Sequence, residues 1–593
     1  MKELMSGNEA VARGAFEADV KLASAYPGTP STEILETIAA KYRSVYAQWS
    51  PNEKVAYEVA IGASMGGARA MVTMKHVGLN VAADPFMTHS YTGGGGGFVI
   101  VCADDPEMHS SQNEQDNRHY AKFAQVPMLE PSDSAEARAM LLAGYEISEE
   151  FDTPVMLRLT TRISHAKTVV EVGEQVTTQP KKFAKEPAKY VMIPGFARGR
   201  HEVVRKRLAG LEEFTEQSPY NYIENNGSKV GIITGGIAFQ YAKEVAPELD
   251  YLKLGLSFPL PMKMIGDFVK SHERVIVVEE LEPFYEDQIR AAGFDVEGKK
   301  FFGHLGEYSP HRVAQGLKDA GVLTEVSVVA KTNGSPLFPR PPVLCPGCPH
   351  RGMFMALKKL KVAVTGDIGC YTLGALPPLK ALDSCICMGA SIGNAIGMGR
   401  VDGSENGVVA VIGDSTFLHS GITGLLDATF NKSNVTVVIL DNSTTAMTGG
   451  QEHPGTGRTL MGGTAGKVDL PKLCRALGIS RVHEVDAYDY DACMSAVKQE
   501  LHSDEPSVLI TNRPCVLMPE RIMDEPYVVD LAHCNGCSAC FRISCPAIAA
   551  SDETNDHGHP KAVIDETLCT GCTLCAQICP EEAIVLKNQM VKV

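Results

Sequence analysis

Val408-Val-Ala-Val-Ile-Gly-Asp-Ser415 and Val435-Thr-Val-Val-Ile-Leu-Asp-Asn442 share one pattern. Each is a short, mostly β-branched apolar run that stops abruptly at polar residues. Runs that are apolar at nearly every position, rather than at alternate ones, predict strands covered on both faces, as in a parallel sheet. In an open parallel sheet, ligands bind outside the carboxyl ends of the strands. An aspartate and an amide oxygen at two adjacent strand ends, Asp414 and Asn442, suit one Mg2+ and leave positions for diphosphate oxygens and water. The helix after Ser415 offers free N–H groups to phosphate. Plain strand-end turns are the alternative reading of Gly413-Asp414-Ser415 taken alone.

Working outward, the same alternation recurs. Residues 1–180 form an α/β segment in which Phe98-Val-Ile-Val-Cys102 and Val155-Met-Leu-Arg-Leu159 read as buried strands, and Lys54 to Arg69 reads as a helix before the strand Ala70 to Met74. Residues 181–228 are charged and helix-prone without a clear buried strand, a connecting excursion. Val230-Gly-Ile-Ile-Thr234 and Arg274-Val-Ile-Val-Val278 open a smaller α/β domain over 229–330. Ser335 to Pro349 carries prolines at 336, 339, 341, 342, 346 and 349, which exclude a helix and mark a linker. A further α/β domain spans 340–520 and a cysteine-rich α+β module spans 525–593. The expected fold class is therefore multidomain α/β with a small C-terminal module, in keeping with about four domains for 593 residues.

The formal charge of −16 argues against a nucleic-acid or anionic-membrane surface. No signal-like start and no run of about 18 apolar residues is visible, so the chain reads as cytoplasmic. Of 17 cysteines all but Cys102 follow residue 340. In a reducing compartment such clustering means metal ligation, not disulfides.

Cys534-x2-Cys537-x2-Cys540 with Cys545-Pro546, then Cys569-x2-Cys572-x2-Cys575-x3-Cys579-Pro580, has the spacing of a bacterial-type two-cluster ferredoxin. There, three close thiolates hold one cubane and the proline-flanked fourth cysteine ligates the other. Cys534, Cys537, Cys540 and Cys579 are accordingly assigned to one 4Fe–4S cluster, and Cys569, Cys572, Cys575 and Cys545 to the second. Four residues separate Cys540 from Cys545, one more than usual, which loosens the first loop. Zinc is the alternative, but zinc takes four ligands in pairs, not eight in two triple runs.

The chain resembles the 2-oxoacid:ferredoxin oxidoreductases, which use thiamine diphosphate. Gly413-Asp414-Ser415 followed by Asn442 is similar to their diphosphate and Mg2+ signature, and Thr448-Gly-Gly-Gln451 is characteristic of their pyruvate-using members. The resemblance implies the main-chain carbonyl of Thr444 as a third Mg2+ ligand. Asn52-Glu53-Lys-Val-Ala-Tyr-Glu-Val-Ala60, running on to His76-Val-Gly78, is similar to the family's pyrimidine-domain motif. It implies that Glu53 is the carboxylate that activates the cofactor's aminopyrimidine. Glu58 is second choice, and for Glu53 an ordinary first-turn carboxylate is the alternative. Tyr26-Pro-Gly-Thr-Pro-Ser-Thr32 resembles the family's turn whose threonine, here Thr29, meets substrate; a turn capped by Ser31 or Thr32 is the plainer reading. One departure is clear. Pyruvate-using members place an arginine for the substrate carboxylate after the strand matching Phe98 to Cys102. This chain has Cys102-Ala-Asp-Asp105 there, so the carboxylate must be held otherwise.

Cys345, Cys348, Cys370 and Cys515 occupy places like those of the ligands of the family's cofactor-proximal third 4Fe–4S cluster; unligated thiols lining the site are the alternative. Cys385, Cys387, Cys474 and Cys493 fall in apolar or helical contexts and read as buried small residues. The fused order of domains, with Cys345-Pro-Gly-Cys-Pro-His-Arg351 and Glu452-His-Pro-Gly-Thr-Gly457, resembles the alpha subunits of the indolepyruvate-using branch. That resemblance implies oxidative decarboxylation of an arylpyruvate with coenzyme A, ferredoxin as electron acceptor, and a smaller beta subunit in an α2β2 assembly. The same chemistry on pyruvate or a branched-chain 2-oxoacid, a non-oxidative arylpyruvate decarboxylase, and an electron-transfer subunit with a decayed thiamine site are the rival readings.

Overall fold

A computed structural model describes residues 1–179, 181–326, 340–401 and 405–590. The chain divides into two units, Met1–Ser335 and Pro336–Val593. Residues 335–339 of the proline-rich linker lie outside the described residues.

The first unit is built on a seven-stranded sheet in the order Leu256–Phe258, Met128–Leu129, Val155–Thr160, Phe98–Asp104, Ala70–Lys75, Leu22–Ala25, Tyr46–Trp49. Six strands run parallel, and the seventh, Leu256–Phe258, is antiparallel to Met128–Leu129. Every residue of Phe98–Asp104 is buried, which is why the run reads as continuously apolar. The strand continues two residues past Cys102 because Ala103 and Asp104 pair with Leu159 and Thr160 of the neighbouring strand. The expected helix begins at Glu53, where the Asn52 side chain accepts from Val55 N at 2.9 Å, and ends at Met65 before Gly66 and Gly67.

The smaller sheet has the order Arg274–Val278, Val230–Gly235, Asp250–Leu254, Asn221–Glu224. Residues 181–228, read as lacking a clear buried strand, do hold a short edge strand, since Asn221–Glu224 pairs antiparallel with Asp250–Leu254. Four residues at a sheet edge, with only Asn221 buried, leave no apolar run to read. The rest of that stretch is helical, chiefly Pro194–Thr215.

The second unit holds a six-stranded, wholly parallel sheet in the order Ser384–Cys385, Ala363–Gly366, Val408–Gly413, Thr436–Asp441, Ser507–Asn512, Arg481–Asp486. Gly413 pairs with Leu440 and Asp441 with Asn512, so Asp414 and Asp441 leave the sheet side by side. Two antiparallel ribbons, Tyr527–Val529 with Ile584–Leu586 and Ile548–Thr554 with Pro560–Ile564, frame the C-terminal module. No helix among the described residues is long and apolar enough to cross a membrane.

Asn221 ties the first unit's two sheets together. Its Nδ2 donates to Thr215 O, Thr215 Oγ1 and Leu256 O, and its Oδ1 accepts from Gly255 N and Leu256 N. Asn221→Ala should remove these five hydrogen bonds, although Gly255 N keeps Tyr220 O as a partner, and cost about 2–4 kcal/mol of unfolding free energy. Denaturant titration checks this; a loss below about 0.5 kcal/mol would contradict it.

Candidate functional site

In the second unit, Asp414 is the first residue beyond the strand Val408–Gly413 and is buried. Its Oδ1 accepts from Ser415 N at 2.9 Å, and its Oδ2 lies 3.2 Å from Nε2 of His453. Asp441 hydrogen-bonds with Asp414, and its Oδ1 also accepts from Ser443 N at 2.8 Å. Burial, then the neighbouring Asp414, pushes the Asp441 carboxyl up to about 6, while His453 and the shared proton draw Asp414 below its ordinary value against the cost of burial. Two carboxyls forced together, one buried and one half-buried, with one oxygen lacking a well-aligned donor, fit a divalent cation.

Asn442 and Thr444 are buried beside the pair. The Asn442 amide lies 3.5 Å from Nε2 of His350, whose imidazole burial holds at about 4 and therefore neutral. Ser415 is bridged to the next loop by Thr445 Oγ1 at 2.9 Å. Gly413, Asp414, Ser415, Asn442 and Thr444 thus come together. Sequence reasoning missed Asp441, His350 and His453 as members of the site. Both histidines sit inside motifs that carry the family resemblance, Cys345 to Arg351 and Glu452 to Gly457, which is the signal that could have found them.

The eight C-terminal cysteines separate into two cavities. One is lined by Cys534, Cys537, Cys540 and Cys579; the other by Cys545, Cys569, Cys572 and Cys575. Each contains one cysteine from the opposite sequence run, as the spacing predicts. Burial and crowding by neighbouring thiols push Cys540 and Cys572 up to about 11, so these sets are short of positive charge and suit iron. Tetrahedral zinc would draw sulfurs to about 3.8 Å from one another. Among the described residues no three cysteine sulfurs lie within 4.8 Å of each other.

Cys345, Cys348, Cys370 and Cys515 also converge. Burial, then Cys370 and Cys345, raises Cys348 to about 12; burial, then Cys515 and Cys345, raises Cys370 to about 11. Cys474 and Cys493 are buried as expected, whereas Cys387 is exposed and Cys385 half-buried, because they lie at the short edge strand Ser384–Cys385.

Arg351, fully buried, joins two of these cysteine sets. It donates to Leu344 O and Cys345 O on one loop, and to Ile543 O and Ser544 O, immediately before Cys545, on the other. Tyr488 reinforces the junction: its hydroxyl donates to Gly347 O at 2.6 Å, and its carbonyl accepts from Gln577 Nε2 at 2.7 Å.

In the first unit, Glu53 is buried and Gly78 lies against it; a Cβ at Gly78 would stand 2.7 Å from Glu53 Oε1. Glu58 is exposed and ion-paired with Lys54. Thr29 is half-buried, and its carbonyl accepts from Ser110 Oγ at 3.4 Å. Ser31 does not cap the following helix, since its hydroxyl donates instead to Gly28 O at 2.9 Å. Where the strand Phe98–Asp104 lacks an arginine of its own, Arg158 enters from the neighbouring strand, but its guanidinium is held by Asp104 and Glu130.

Residues 13–216 match the family described as "Pyruvate flavodoxin/ferredoxin oxidoreductase, thiamine diP-bdg". Residues 367–511 match the C-terminal thiamine-pyrophosphate-binding domain of thiamine pyrophosphate enzymes, and 533–583 match the 4Fe-4S dicluster domain. Indolepyruvate oxidoreductase subunit IorA of Thermococcus kodakarensis is 42% identical over 98% of this chain and 96% of its own length. The chain belongs to the IorA family. The IorA subunit of Archaeoglobus fulgidus is 40% identical over 98% of this chain and 97% of its own. The 2-oxoglutarate synthase subunit KorA of Methanothermobacter thermautotrophicus, 22% identical, spans 49% of this chain and 91% of its own length. As an IorA-family chain, the protein is an oxidoreductase of the 2-oxoacid:ferredoxin class that binds thiamine diphosphate and 4Fe–4S clusters.

Arg351→Met should remove four donors to buried carbonyls and cost at least about 3 kcal/mol at the junction. Visible absorbance of the clusters during denaturant titration should show iron lost at lower denaturant than in the wild type; coincident curves would count against the junction.

Proposed function

We propose that this IorA-family chain oxidatively decarboxylates arylpyruvates, indolepyruvate and phenylpyruvate above all. The arylpyruvate, coenzyme A and two oxidised ferredoxins give the aryl-acetyl-CoA, carbon dioxide, two reduced ferredoxins and a proton. The observation that carries this reading is the convergence, within one unit, of the Asp414–Asp441–His453 cation site with three cysteine sets, two of them joined by Arg351. A purely non-oxidative decarboxylase has no use for such a relay.

When bound, thiamine diphosphate supplies the electron sink for loss of carbon dioxide. Asp414, the Asn442 side chain and the Thr444 carbonyl would hold Mg2+ against its diphosphate. Glu53 would exchange a proton with the aminopyrimidine, and its burial beside Gly78 limits the access of water to that carboxylate. Cys345, Cys348, Cys370 and Cys515 would hold the cluster that first receives electrons. The set around Cys545 would hold a second cluster and the set around Cys534 a third, and together these would supply one-electron steps between the thiamine site and ferredoxin. The subunit name of the relatives supports a partner subunit; a smaller beta subunit would complete the enzyme as an α2β2 assembly.

An apolar pocket that buries an aromatic side chain of about 150–250 Å2 selects it by desolvation. With the beta subunit and coenzyme A present, kcat/KM for indolepyruvate and phenylpyruvate should exceed that for pyruvate and 2-oxoglutarate at least about tenfold, read by viologen reduction. Equal or better pyruvate turnover would overturn the arylpyruvate assignment. Glu53→Gln should retain thiamine diphosphate yet lose about 100- to 10,000-fold in turnover; near-normal deuterium exchange at the cofactor's C2 would remove Glu53 from its role.

The cluster count has its own test. The anaerobically purified chain should carry about twelve irons, four per cubane. Cys370→Ser should reduce this to about eight without changing the signals of the C-terminal pair. Eight irons in the wild type would remove the third cluster.

A further inference from the structure

Lys75 ends the strand Ala70–Lys75, just before the helix His76–Val81 that carries Gly78. Its stem packs on the Gly28–Thr29 turn: a Cβ added at Gly28 would meet Lys75 Cγ at 3.2 Å and Cδ at 3.3 Å. Its ammonium donates to Ser110 O at 3.0 Å, and Ser110 Oγ donates in turn to Thr29 O at 3.4 Å. The residue is half-buried, so its head remains reachable.

An ammonium carries three donors. Among the described residues, Lys75 has this one hydrogen bond and no carboxylate at ion-pair distance. Asp105 and Glu53 act on it only through space. Asp105 is engaged elsewhere: Oδ2 accepts from Ser110 N and Ser111 Oγ, at 2.8 and 2.7 Å, and Oδ1 from Thr161 Oγ1 at 2.7 Å. The other cations around this strand end are spent or neutral. Arg158 serves Asp104 and Glu130; Arg118 serves Asp116 and Glu279; burial holds His76 at about 4. Partial burial also draws the Lys75 ammonium below its ordinary pKa, the mark of a cation short of compensation.

We propose that Lys75 is the residue that binds the carboxylate of the 2-oxoacid, its ammonium set between the Gly28–Thr29 turn and Glu53. This rests on the assignment of Glu53 to the reacting end of the site. Without a cation there, the substrate anion would approach the buried Glu53 carboxylate unscreened. Lysine suits the position because a point charge with free donors tolerates the changing direction of a carboxylate that leaves as carbon dioxide, whereas a bidentate guanidinium would fix it. An interaction made with substrate as well as at the transition state sets KM more than kcat.

The experiment uses the assembled holoenzyme and three chains: wild type, Lys75→Met and Lys75→Arg. Lys75→Met should raise KM for phenylpyruvate about ten- to a hundredfold and move kcat far less, with Lys75→Arg recovering most of the loss. A binding readout accompanies it. Calorimetry with 3-phenylpropanoate, which has the carboxylate but no 2-oxo group, should show weakening of similar size in Lys75→Met. Its neutral amide should bind wild type and Lys75→Met alike. If Lys75→Met keeps the wild-type KM and affinity, or loses acid and amide equally, the proposal is overturned while the arylpyruvate reading stands. A wild type that turns over no 2-oxoacid removes both.

Discussion

Asp414 and Asp441 are pressed together because two neighbouring parallel strands end in register, with Asp414 buried and Asp441 half-buried. Two buried negative charges at contact are unstable unless a proton or a cation sits between them. That constraint organises the second unit's site. It explains the raised Asp441 and the histidine drawn to Asp414, while burial keeps His350 behind Asn442 neutral against the pull of Asp414. On the proposed function, a cation there would convert an electrostatic liability into the anchor for a diphosphate.

The cysteine sets obey the same rule by different chemistry. Thiols gathered in an apolar cavity resist ionisation, as the raised Cys540, Cys572, Cys348 and Cys370 show, and a bound cation would relieve that cost. Arg351 contributes permanent positive charge between two sets; its field depresses Cys348 on one side and Cys572 on the other against the effect of burial. One side chain thereby links the loop after the linker to the ferredoxin-like module in geometry and in charge.

Much of this was legible in the sequence where spacing and chemistry coincide. The division of Cys534 through Cys579 into crossed quartets follows from ligand spacing, and the cavities reproduce it. The doubly buried strands Phe98–Asp104 and Val408–Gly413 announce themselves by continuous apolarity. What escaped are features set by tertiary contact. Asn221–Glu224 is a short edge strand with no periodic run, and Asp441 reads as a strand-end residue until Asp414 is placed beside it. Lys75 closes an otherwise ordinary strand and acquires meaning only from the turn on which its stem lies.

The strand Leu256–Phe258 carries a consequence for biosynthesis. It covers the edge of the seven-stranded sheet at Met128–Leu129, yet it is made more than a hundred residues later, with a second sheet begun in between. Until residue 258 has left the ribosome, that apolar edge is open to any strand it meets, which is the state in which sheets aggregate. Synthesis at about 5–20 residues per second leaves the edge uncovered for several seconds or longer. The nascent chain therefore passes through a window in which a chaperone has a defined surface to protect, and slow translation between residues 129 and 258 would lengthen it.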